Sequence, residues 1–148
     1  MGGYGALYNG MKYRDTFSKV AAFSPAADAY MLLAETEAPG FSAEQFQGIF
    51  KSRENYYSGD TNLAVEWTKE GVKNRPELFL CCGKEDRAVY RAVEQLETTL
   101  REHHVLHQYR EGHGDHEFDY WERMMDPAFS FLAGIKEGTK DKMLIPEG

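Results

Sequence analysis

Cysteine is scarce: the chain carries two in 148 residues, adjacent at Cys81 and Cys82. Neighbours along an extended strand point to opposite faces, so a bond between the two is disfavoured and no disulfide framework exists. They read as buried thiols of a reducing compartment, which points to the cytoplasm. Long apolar runs are also missing; none approaches the roughly 20 residues of a membrane span. Met1 is followed by neither a basic stretch nor an extended apolar one, so the start does not read as a signal peptide. Clustered positive charge is absent too. The 17 Lys and Arg are scattered singly against 24 Asp and Glu, a net charge of −7. That balance disfavours nucleic acid and anionic lipid as partners. There is no internal repeat and no low-complexity tract.

What is present is a globular composition, 42% apolar and 14% aromatic, in a length that suits one domain and not two separate cores. Three glycines in the first five residues suggest backbone packed closely against a neighbour, with a glycine-rich turn running into a helix by residue 14. An apolar run over 17–23, closed by Ser24 and Pro25, predicts a buried strand. Residues 26–74 read as a mostly helical excursion: Ser42 and Gln45 have the spacing of a capping box, 55–60 reads as a loop, and 61–72 as another helix. A strand is predicted over 77–82, closed by a turn at Gly83–Asp86. Ala88, Ala92, Leu96 and Leu100 recur every four residues and predict a helix over 87–104. A short strand comes next over 105–110, then a glycine-containing loop. The last helix, over 116–135, carries Phe118, Trp121, Met125, Phe129 and Leu132 on one face. Residues 1–135 form the domain, and the charged tail over 136–148 is expected to be loose. Strands alternating with helices predict an α/β fold with a parallel sheet flanked by helices.

The carboxyl ends of strands are where α/β sheets form sites. Two turns there carry ionisable groups: Glu85 and Asp86 after one strand, His113, Asp115 and His116 after the next. A carboxylate that orients an imidazole is the base half of a nucleophilic triad. Asp86 is equally suited to cap the helix beyond it, and on spacing alone both roles stay open.

Three segments together resemble the C-terminal part of the α/β-hydrolase-fold serine esterases, in the branch that holds the tributyrin esterases and esterase D-like enzymes. Met1-Gly2-Gly3-Tyr4-Gly5-Ala6-Leu7 is similar to the segment just after the serine in that family's nucleophile elbow. Leu80-Cys81-Cys82-Gly83-Lys84-Glu85-Asp86 resembles the strand end and turn that present the acid. Gly114-Asp115-His116-Glu117-Phe118-Asp119-Tyr120-Trp121 resembles the histidine loop and the start of the last helix. The order acid then histidine fits the fold. The resemblance implies hydrolysis of a small-molecule carboxylic ester through an acyl-serine, with no cofactor and no metal. It implies Asp86 as triad acid, His116 as general base and the Met1 backbone N–H as an oxyanion-hole donor. It also implies a departure: the serine would stand one position before Met1, with the N-terminal strands of the sheet. Ser42 lacks the final glycine of Gly-x-Ser-x-Gly, Glu44 standing there, and Ser24 is flanked by Phe23 and Pro25. The chain is thus expected to be a fragment, marginally stable and catalytically silent alone. The bare edge of the 17–23 strand would pair with a missing N-terminal half or with a second copy.

Other residues support rival readings. His103, His104 and His107, with His113, Asp115 and His116, are ligand types suited to zinc or iron, though no spacing fixes a third ligand. Gly3-Tyr4-Gly5 begins a dinucleotide-binding pattern, but Tyr8 stands where its last glycine belongs. A non-catalytic pseudoenzyme, or half of a split domain acting as an interaction module, is the third class. Tyr30, Phe41, Phe46, Phe50, Tyr56, Tyr57 and Trp67 of the excursion suit either a lid over the site or the excursion's own core.

Overall fold

Residues 1–35, 43–59 and 61–135 are described by a computed structural model. The predicted cap at Ser42, together with Phe41 and the tail over 136–148, lies outside them. Helix α1 (Gly2–Lys12) leads to strand β1 (Lys19–Phe23). Four short helices come next: α2 (Ala29–Glu35), α3 (Ala43–Phe50), α4 (Arg53–Ser58) and α5 (Leu63–Thr68). Strand β2 (Glu77–Gly83), helix α6 (Tyr90–Glu102), strand β3 (His107–Gly112) and helix α7 (Phe118–Ala133) complete the order.

The three strands form one parallel sheet in the order β1-β2-β3. Ala22 stands opposite Leu80, and Leu80 opposite Tyr109. Because side chains alternate across a strand, β2 splits its residues between two cores. Leu78, Leu80 and Cys82 join Leu7, Trp67, Val93 and Leu96 beneath α1, α5 and α6. Phe79 and Cys81 join Tyr120, Ala128 and Phe131 of α7 on the other face. An apolar strand covered on both sides is what a central parallel strand requires. The two cysteines are free, buried and on opposite faces.

Two glycines seat α1 on the sheet. A Cβ on Gly3 would stand 2.6 Å from the Phe23 carbonyl oxygen, and one on Gly10 would collide with Val20 Cγ2. Gly2 and Gly5 meet nothing within 4 Å. The expected glycine-rich turn is not there: Gly2, Gly3 and Gly5 already lie within the helix, held by packing rather than propensity.

The stretch expected as a loop over 55–60 is helical to Ser58. Ser52 caps it by accepting the Asn55 N–H at 3.1 Å, and Tyr56 anchors it by accepting the Ala29 N–H at 3.0 Å. Tyr56 is fully buried against Tyr30 and Phe50, so these aromatics build a core of the excursion. Trp67 instead enters the main core and donates its indole N–H to the Leu7 carbonyl at 3.2 Å. The helix expected over 61–72 stops at Thr68, and the left-handed Gly71 bends the chain away.

Candidate active site

β2 ends at Gly83, and the chain turns at once through Lys84, Glu85 and Asp86 into α6. That turn touches the histidine loop backbone to backbone. Lys84 N–H donates to the Gly112 carbonyl at 2.9 Å, and Glu85 N–H to the Gly114 carbonyl at 3.1 Å. A Cβ on Gly83 would collide with the Gly114 carbonyl oxygen, so only glycine allows this approach. Gly114 itself has φ +147 and lies against the Tyr120 ring, a conformation that L side chains rarely adopt.

The turn brings two of the expected residues together. Asp86 is completely buried, and its Oδ2 lies 2.7 Å from His116 Nδ1. Its Oδ1 accepts the Val89 N–H at 3.3 Å, so the carboxylate also stabilises the entry to α6. With Nδ1 donating to Asp86, the lone pair of the neutral imidazole falls on Nε2, which has no partner among the described residues. The His116 side chain is 43% exposed, and its ring meets Trp121 edge to face, centroids 4.9 Å apart at 89°.

His116 opens onto a groove of about 520 Å³ lined also by Met1, Gly3, Phe23, Ser24 and Trp121. Met1, expected as the oxyanion donor, thus shares this space with His116, at the tip of α1. Phe118, Met125, Phe129 and Leu132 line it too. The apolar face foreseen on the last helix therefore fronts this groove, while Tyr120, Ala128 and Phe131 enter the core beneath.

Around the pair stands a clasp. Glu85 Oε1 lies 3.0 Å from His113 Nδ1, and Glu85 Oε2 accepts the Gly114 N–H at 2.6 Å. The Gly114 N–H, and then His113, hold the Glu85 carboxyl below the usual carboxylate range. Arg123 donates to the His113 carbonyl at 2.7 Å, and the His116 N–H to Asp115 Oδ1 at 2.7 Å.

The remaining histidines do not gather. His103 Nδ1 lies 2.9 Å from the Thr99 carbonyl oxygen and His107 Nδ1 2.7 Å from that of Val105. Among the described residues no three His, Cys, Asp or Glu side chains stand close enough to hold a metal ion, and no helix is long and apolar enough to cross a membrane. Sequence reasoning placed Glu85 in the site turn without a partner, set Ser24 aside as a nucleophile and gave Trp121 only a place on the apolar helix face. The only signal was position, at a strand end or one helical turn beyond the histidine.

The model of the Esterase family matches residues 1–132. The chain is 25% identical over 142 residues to an acetyl esterase of Caldicellulosiruptor saccharolyticus, covering 93% of this chain and 53% of that protein. Among solved structures it is similar to the fluorophosphonate-binding serine hydrolase F of Staphylococcus aureus, with 27% identity and a TM-score of 0.71, over 88% of this chain and 50% of that one. It is likewise similar to the S-formylglutathione hydrolase of the same organism, with 28% identity and a TM-score of 0.71, over 89% and 51%. The chain spans about half the length of these relatives.

Proposed function

The chain belongs to the Esterase family, and from that premise we propose that it supplies the acid and base of a serine carboxylic-ester hydrolase. The observation that carries this reading is the 2.7 Å contact between buried Asp86 and His116 at the mouth of a groove that begins at Met1. Asp86 orients the imidazole and stabilises the imidazolium that forms. His116 Nε2 takes the proton of the serine hydroxyl as its oxygen attacks the ester carbonyl, then returns it to the departing alcohol. Water repeats the cycle, freeing the acid and restoring the serine. By the family's elbow pattern the serine would stand one position before Met1, whose backbone N–H would then face the developing oxyanion.

Among the described residues, Ser24 is the serine that lines the groove, but its Oγ accepts the Trp121 indole N–H at 3.0 Å and no glycine turn presents it. The 148 residues alone are therefore expected to be silent. The test begins upstream of the Met1 codon: an in-frame Gly-x-Ser after an apolar strand supplies the complete protein. That protein should hydrolyse p-nitrophenyl acetate, and Asp86→Asn or His116→Ala should lower kcat/KM by about 10³–10⁴-fold. A His116→Ala variant of near wild-type activity would end the reading. A stop codon at that place would turn it toward a pseudoenzyme or a split-domain partner.

A further inference from the structure

Ser24 closes β1 in a left-handed conformation, φ +40, that a non-glycine residue adopts at a cost. It is 2% exposed, and its N–H still donates to Cys81 O at 2.8 Å, as though the ladder continued. The bend sets its hydroxyl against α7, where it receives the Trp121 indole N–H at 3.0 Å. The pinned indole meets the His116 ring at 89°. The ends of all three strands therefore converge on one imidazole. β2 reaches Nδ1 through Asp86, β3 carries the histidine loop, and β1 reaches the ring through Ser24 and Trp121.

One hydrogen bond at Nδ1 resists rotation about the Cβ–Cγ bond, yet coupled changes of χ1 and χ2 can still tilt the ring about that contact, with solvent on its open side. The indole removes that freedom. We infer that Ser24 and Trp121 are positioning residues, the serine locking an indole that holds the His116 ring in line with Asp86. This rests on the proposed pairing of Asp86 and His116, and it gives the strained, buried Ser24 a role other than attack.

The test reads His116 itself and needs no turnover. In the intact protein labelled with ¹⁵N-histidine, solvent exchange of the His116 Nδ1 proton is measured in wild type, Trp121→Phe, Ser24→Gly and the double variant. Phenylalanine keeps an aromatic ring without the donor. Glycine removes the hydroxyl while tolerating the positive φ, so no backbone strain is added. Each single change should speed exchange roughly tenfold, about what losing one hydrogen bond allows. The double variant should be no faster than either, since the same Ser24–Trp121 bond is lost in all three. Folded variants with unchanged exchange would overturn the inference, as would additive effects. A wild-type protein with no protected Nδ1 proton would instead defeat the Asp86–His116 pairing beneath it.

Discussion

At Asp86 one side chain meets two partners. A carboxylate offers about four lone-pair directions, so Oδ1 can hold the Val89 N–H while Oδ2 holds His116. The sequence leaves cap and triad acid as alternatives because both use the same position; the two carboxylate oxygens allow the cap contact beside the proposed acid role. The two cysteines next to this turn are the opposite case, ionisable groups kept out of chemistry. Burial pushes the Cys81 thiol up to about 12 and the Cys82 thiol up to about 12, and the thiolate is the reactive form. Iodoacetamide at pH 8 should therefore label neither in the folded protein and both in denaturant. Rapid labelling of either native thiol, detected by mass spectrometry, would contradict the buried assignment.

Between elements, the Glu85 clasp ties the acid turn to the histidine loop. Its folded-state pKa is depressed, so the stabilisation is present above the ordinary carboxylate value and is lost as pH falls through the lowered one. Exchange of the Gly114 amide, corrected for its intrinsic pH dependence, should show protection that vanishes on acidification. Glu85→Gln should be less protected near neutrality and show no acid step; profiles that superimpose would refute the clasp. The elements themselves were largely legible. The unbroken apolar run of Leu78–Cys82 marks a strand buried on both faces, and the period of four in 88–100 follows helical pitch; both signals are local. The helix at Arg53–Ser58 was not legible, since its anchor is Tyr56 packing on Ala29, a contact 27 residues away. The apolar face of α7 was legible as a face, but periodicity says nothing about what it meets.

For the whole molecule, the two sheet edges differ in kind. β3 carries His107, Gln108, Arg110 and Glu111, and charge on an edge discourages pairing. β1 reads Lys-Val-Ala-Ala-Phe and has one neighbour among the described residues, beside the exposed Phe118, Phe129 and Leu132 of the groove. The 148-residue chain purified alone should therefore self-associate, as read by sedimentation velocity, and melt weakly. A monomer with a cooperative melt would show that edge to be adequately protected. Legible from the residues in order are the alternation of strands and helices, the two buried thiols and an acid and an imidazole after successive strands. These come from local periodicity and from the habit of parallel sheets to form sites at their carboxyl ends. That Asp86 and His116, thirty residues apart, stand at 2.7 Å, and that Ser24 Oγ accepts the Trp121 indole N–H, emerges only in the folded chain. Such pairings depend on strand register and on the close approach of Gly83 to Gly114, which no local pattern encodes.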